Sequence, residues 1–385
     1  MNYRLDENGK ISENDEIFKT LDDCYDSEDF SGIVDAITAV PREIWGTEIW
    51  FRLISAYNNL GKFDKAREEL RLVDPLCDTP ELRASFCYLY GYSYYGEDKE
   101  MMAISCFNDG KAVDPEDKGE HEWDKLIGEC RDCINKELKK LRQLSERMDK
   151  DITEAFSQKS EEERDEISEE EFTMYLGYLP AIRKIPGTSK GLLFDKENYF
   201  LKYEGADKQA VLDFFENMYG VHDRESFREM FTRYTGCNIM NFYTDIPPYL
   251  AGEPNFDVAE LNDQGREAFF NAVEFFKPFN EYLPEAGVMA WDICEKVGLA
   301  RLAYSCDIIG NTDYCTIMLM LTDQARDEFS NFEEYMRSLV FGCGVYMFHI
   351  DRWDINGAIE FMSMIMPMLL NGDMPHIRWQ GSEED

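Results

Sequence analysis

Few residues in this chain are spaced as catalytic or metal-binding sets usually are. The one Cys-x-x-Cys pair is Cys130 and Cys133. A zinc site of that kind needs a second pair or a His-x₃-His downstream, and neither follows. A redox pair needs a βαβ context, which is not visible here. On a helix the two are i, i+3 neighbours, so core or surface thiols are expected. The four histidines, His121, His222, His349 and His376, are far apart and form no metal spacing. Pro186-Gly187-Thr188-Ser189-Lys190-Gly191 lacks the Gly-Lys-Ser/Thr ending of a phosphate-binding loop and reads as a turn. No metal, cofactor or catalytic residue is assigned on these grounds.

One charged residue stands out by its surroundings. The strongest apolar stretch runs from Ala290 to His349. At about 100° per residue, Ile293, Val297, Ala300, Tyr304 and Ile308 share one helix side, and Trp291, Leu299 and Leu302 fill much of the rest. Arg301 falls among Cys294, Val297 and Ile308. A guanidinium buried there needs a carboxylate or carbonyls, because an unpaired buried charge costs several kcal/mol. A second helix follows from Asn311-Thr312 to near Phe329. Ser330-Asn331-Phe332-Glu333 reads as a capping box opening a third helix, Phe332 to His349. Gly342 and Gly344 on it allow another helix to approach closely. The run is too short and interrupted to span a bilayer, which takes about 20 apolar residues.

These residues carry a resemblance. Ala290-Trp291-Asp292, Ala300-Arg301, Tyr304, Ala325-Arg326, Phe329, Phe332-Glu333-Glu334-Tyr335 and Gly342 resemble a bacterial family known only as domain of unknown function 1266. Gly220-Val221-His222-Asp223-Arg224 resembles the family's upstream Gly-x-x-(Asp/Asn)-Arg element. Asn331-Phe332 replaces the family's Ser-Trp, and Asp307 stands where a glycine is usual. The resemblance covers roughly Glu170 to Asp351 and implies a helical fold but no activity. It marks Asp223, Arg224, Trp291, Asp292 and Arg301 as a polar cluster. That cluster could polarise a phosphate or carboxylate; the competing reading makes Asp223 a helix cap and Arg301 half of a buried ion pair.

The whole chain sets the outer limits. Its 385 residues suffice for two domains with proper cores, and 44% hydrophobic with 14% aromatic residues is a globular composition. The formal net charge is −38. Spread along the chain, it argues against nucleic acid and anionic membranes as partners and favours basic ones, although solubility alone would also account for it. Eleven cysteines without an apolar signal segment point to reduced thiols and a cytoplasmic location.

The first 140 residues hold an internal repeat. Trp50, Leu53, Tyr57, Gly61 and Ala66, then Gly91, Tyr94, Ala103, Phe107 and Pro115, fit one helix–turn–helix template. Small residues let paired helices approach, aromatics fill between them, and Pro115 stops the second helix. A weaker copy precedes them with Phe30, Ile33, Ile37, Val40 and Pro41. The template resembles the tetratricopeptide repeat. Carried over by position, the concave face of such a stack is Asp15, Phe18, Asp22 and Tyr25, then Glu48, Phe51, Ser55, Asn58 and Asn59, then Ser85, Tyr88, Tyr92 and Tyr95. This groove is aromatic and acidic, suited to a basic or aromatic peptide. Alternatively, the tyrosines pack against the second domain or a long helix predicted to leave the repeat through Ile134, Leu138, Leu141, Met148 and Ile152.

The expected fold is all-α. A tetratricopeptide-like helical solenoid covers 1–137, an acidic helical connector 138–171, a compact helical domain 172–372 and a loose tail 373–385. Ser168-x-x-Glu171 reads as a capping box opening the compact domain. The Met362, Met364, Met366 and Met368 run is read as core filling. Protein–protein interaction, as an adaptor or regulator, is expected ahead of catalysis. The alternatives are an immunity-type protein neutralising a basic toxin and an enzyme with its site near Arg301.

Overall fold

The computed structural model describes residues 3–12, 15–177, 202–233, 245–350 and 353–379. The fold is all-α, and no strand is formed among the described residues beyond two isolated bridges, Leu5 with Ile11 and Asp165 with Ile377. No described helix is long and apolar enough to cross a membrane. The described residues fall into two compact units. One holds the residues up to Glu137, with Trp353 and Asp354; the other holds Leu138 to Ile350 and Ile355 to Trp379.

The first unit is a succession of paired helices: α1 (Glu16–Asp26), α2 (Phe30–Thr38), α3 (Thr47–Asn59), α4 (Phe63–Val73), α5 (Pro80–Tyr95) and α6 (Glu100–Val113). Each packs on the next, and α3 also packs on α5. Thr79 caps α5 by accepting the Leu82 N–H, with Pro80 at the first helical position. The close approaches are made at glycines. A Cβ on Gly91 of α5 would lie 2.4 Å from the Phe107 ring of α6, and one on Gly96 would lie 2.3 Å from the Phe63 ring of α4. Phe107 and Tyr94 are buried in the gap so formed. Arg67 on α4 is also buried. It pairs with Asp64 and Glu97, donates to the Ser93 carbonyl and lies over the Tyr94 ring, so every face of the guanidinium is engaged.

A single long helix, α7 (Trp123–Phe156), follows. Trp123, Ile127, Cys130, Glu137, Leu141, Leu144, Met148, Ile152 and Phe156 are buried along it and Ile134 is half-buried, in three- and four-residue steps. The long helix expected from the apolar pattern is therefore one continuous element.

The second unit continues with α8 (Glu169–Leu176), α9 (Gly205–Tyr219), α10 (Arg224–Arg233), α11 (Ile246–Leu250), α12 (Asp263–Phe276), α13 (Met289–Ser305), α14 (Asn311–Glu328), α15 (Phe332–Ile350) and α16 (Ile355–Leu370). Ser168 and Glu171 form the predicted capping box of α8. Helix α9 ends at Gly220, whose φ of +66° is the left-handed conformation that suits glycine at a helix end. The turn at Pro186–Gly191 lies outside the described residues.

At its centre α13 packs against α15. Gly342 makes this possible, because a Cβ there would lie 2.5 Å from Trp291 Cβ and 3.1 Å from the Val288 carbonyl oxygen. Two side chains of α15 then hold the start of α13. The Ser338 hydroxyl accepts the Ala290 N–H at 3.0 Å, and the Ala290 carbonyl lies 3.3 Å from the Tyr335 hydroxyl, which donates to the Leu176 carbonyl at 2.7 Å. Tyr335 is wholly buried. Stacked ring pairs, Phe275 on Phe348 and Phe279 on Phe341, extend the core.

Two local expectations need correction. The cap of α15 is Asn331, not Ser330. Its Oδ1 accepts the Glu334 N–H at 2.8 Å, and Glu334 takes the Ser330 N–H. Asparagine caps as well as serine does, and this register buries Phe332 against Phe172 and Trp379. Glu333, expected in the box, pairs with Arg337 one turn along. In α16, which runs on to Leu370 with Pro367 inside it, the methionine run fills the core only in part. Of the four methionines, Met362 and Met366 are buried core residues, while Met364 and Met368 are about half exposed.

Candidate functional site

The strongest candidate lies in the first unit, along the positions predicted for a groove. Asp22 on α1 and Glu48 on α3 are both exposed and share one cation: Arg52 pairs with Asp22 at 2.5 Å and Glu48 at 2.9 Å. This joins α1 and α3 on one face. Asn59 is exposed and donates to the half-buried Ser55's carbonyl. On α5, Tyr88 and Tyr92 lie 5.7 Å apart, and Tyr92 and Tyr95 lie 6.0 Å apart. Tyr92 is 36% exposed and Tyr25 on α1 is 52% exposed, large fractions for aromatic rings. Burial pushes the Tyr88 hydroxyl above its ordinary pKa, and nearby Tyr92, Tyr25 and Glu122 push it further the same way.

Two predicted groove residues are elsewhere. Phe18 is buried in the core with Leu21 and Ile49, because α1 has one strongly apolar face and Phe18 belongs to it. Asn58 is buried between α3 and α5, where its amide donates to the Leu89 carbonyl at 3.0 Å. It links two helices rather than offering its amide to a ligand. Phe51 is half-buried against the same core. Asp15 caps α1, accepting the Ile17 N–H. Tyr88 and Tyr95 meet the alternative expectation in part. The Tyr88 ring contacts His121 and Trp123 at the start of α7, and Glu129, Cys130 and Cys133 of α7 influence Tyr95.

The loop between α6 and α7 carries a cluster that the histidine spacing did not reveal. One ligand-type atom from each of Asp114, Asp117 and His121 lies within 4.8 Å of the others. Backbone N–H groups hold both carboxylates. Asp114 accepts from Lys118 and Gly119, and Asp117 accepts from His121 and Glu122. Those N–H groups of Gly119 and Lys118 hold Asp114 below the usual carboxylate pKa. The His121 ring stacks on Trp123 at 4.6 Å. Its burial lowers the imidazole pKa, while the two aspartates pull the other way. The sequence signal is Asp-x-x-Asp-x-x-x-His in a tight loop, which a search for paired histidines or cysteines passes over.

The polar cluster marked by the family resemblance is divided among several tasks. Asp223 accepts the Ser226 N–H at the start of α10, as a helix cap does. Arg224 forms a two-pronged pair with Asp313 on α14, and Arg228 joins the same carboxylate. Arg224's hydrogen bond leads the causes that lower the Asp313 carboxyl to about 2. Nothing in the spacing of either helix marks Asp313 as this partner. Trp291, Asp292 and Arg301 are all buried on α13. Asp292 and Arg301 are nine residues apart, which places them about half a turn around the helix and about 13 Å along it. The helix therefore does not bring these two together as a site.

Three buried cysteines, Cys87, Cys130 and Cys306, are not poised for chemistry. The described cysteines are thiols rather than disulfides. Burial raises Cys87 to about 11 and Cys130 and Cys306 to about 12, far from a reactive thiolate.

Comparison with known proteins bears on the second unit. Residues 215–352 match the family model described as protein of unknown function, DUF1266. The match takes in α10, α13, α14 and α15, and so the Asp313 cluster and the Gly342 contact. It begins later than Glu170, where the resemblance was drawn. No curated protein and no solved structure matches the chain.

Proposed function

We propose that the chain is a protein-interaction adaptor or regulator of the cytoplasm, whose first unit is a tetratricopeptide-like stack that binds a basic or aromatic peptide segment. The observations that carry this reading are the link from α1 to α3, where Asp22 and Glu48 share Arg52, and two exposed rings, Tyr25 on α1 and Tyr92 on α5. Aromatic rings give large contact area at little entropic cost, and carboxylates around them select cationic side chains. Paired helices with glycine–aromatic contacts such as Gly91 against Phe107 support the repeat assignment. Cysteines held as thiols, with Cys130 at a raised pKa, agree with a reducing location.

The test uses the full chain against an array of synthetic peptides varied in charge and aromatic content. Lysine- or arginine-rich peptides with an aromatic residue should be enriched. Tyr25→Ala with Tyr92→Ala should weaken the best of them at least tenfold, with circular dichroism unchanged. Binding of acidic peptides equally well, or no effect of the double substitution, would refute the reading.

A further inference from the structure

We propose that the α6–α7 loop is a binding site for a divalent transition-metal ion of the zinc type, with Asp114, Asp117 and His121 as its protein ligands. Two observations carry it. The first is the convergence of two carboxylates and an imidazole, which is a donor set for zinc-like ions; calcium and magnesium take oxygen ligands instead. The second is the state of His121. Its side chain is 10% exposed, and its Nδ1 is buried with no hydrogen-bond partner. That nitrogen faces Asp117 Oδ1 at 3.8 Å and Asp114 Oδ2 at 3.9 Å, too far for a hydrogen bond to either. A buried polar atom left this way is costly.

An ion between the three donors removes that cost. Ligands about 2.0–2.1 Å from a tetrahedral ion stand about 3.4 Å from one another, so the imidazole need approach each carboxylate by only about half an ångström. The backbone N–H bonds already orient both carboxylates toward the imidazole, leaving a second lone pair on each oxygen for the ion. Gly119 leaves room for the ring, since a Cβ there would lie 2.0 Å from its Cε1. Asp114 and His121 also line a cavity of about 420 Å³, together with Glu81, Ser85, Glu116 and Lys118, which leaves room for a further ligand. The expectation that the chain holds no metal rested on pairs of histidines or cysteines and did not weigh this combination.

The experiment adds Zn²⁺ alone to the reduced full-length chain with ¹⁵N-labelled histidine. Expected is a shift of the His121 Nδ1 resonance at equimolar ion, absent in His121→Gln and absent with Ca²⁺. Calorimetry should show at least a tenfold loss of one Zn²⁺ site in Asp117→Asn. No His121 shift in the wild-type protein, or undiminished affinity in Asp117→Asn, would overturn the proposal. The wild-type spectrum decides even if a variant fails to fold, because the stack on Trp123 identifies the His121 signals through ring proximity.

Discussion

Replacing Gly342 by alanine is the sharpest probe of the second unit's core. The new methyl would sit 2.5 Å from Trp291 Cβ and 3.1 Å from the Val288 carbonyl oxygen. Neither atom can move by changing a rotamer, since one is bonded to Cα and the other is backbone. The α13–α15 pair must separate. Overpacking of this kind costs about 3 kcal/mol at the upper end of its usual range, and glycine-to-alanine in a helix returns about 1 kcal/mol. A net loss of about 2 kcal/mol is expected. Gly344, two residues on, is the control. Its methyl would meet Met362 Sδ at 2.5 Å, part of a flexible side chain that can swing aside. Gly344→Ala should change stability by less than about 0.5 kcal/mol, because the propensity gain offsets a small repacking cost. The assay is urea unfolding of the full chain by circular dichroism, fitted with one transition per compact unit. With a slope of about 2–3 kcal/mol per molar, Gly342→Ala should lower one midpoint by about 0.7–1 M. An unchanged midpoint, or an equal loss in Gly344→Ala, would refute the reasoning.

Further outcomes follow from single groups. Burial lowers His349 to about 4 from an ordinary 6.5. Between those values the unfolded chain binds a proton that the folded chain does not, so this contribution is present above pH 6.5 and is lost as pH falls toward 4. It amounts to about 3 kcal/mol, and His349→Gln should flatten the urea midpoint against pH across that window; an identical pH profile would count against it. Asn331→Ala should cost about 1 kcal/mol as a lost helix cap. Ser330→Ala should cost far less, and the reverse order in thermal melts would restore the serine cap.

What could be read from the residues was whatever depends on local spacing. The long α7 was legible because its buried residues recur every three or four positions. Gly91 and Gly342 were legible because a glycine inside an apolar helix pattern implies a close neighbour. The Ser168 box was legible because both partners lie within one turn. Other features depend on which distant segments meet. Asp313 lies 89 residues from Arg224, and no pattern within either helix announces the pair. Asn58 sits at a position that points into the groove in the repeat template, yet the contact between α3 and α5 turns its amide onto Leu89. His121 escaped because its spacing was weighed only against the other histidines, and it is the folded loop that brings Asp114 and Asp117 to the ring. At Asn331, two adjacent residues could each cap the helix, and burial of Phe332 decided between them.

Asp307 shows how one bend can be made in two chemical ways. Its φ is +60°, a conformation glycine adopts freely, and aspartate here is flanked by Lys202 at 3.0 Å and Lys208 at 2.7 Å. All three side chains are a third or more open to solvent, so dissolved ions compete with the lysines for the carboxylate. A chain with glycine at this bend would be indifferent to ionic strength there. In this one the ion pairs that brace the corner after α13 weaken as the salt content of the surroundings rises.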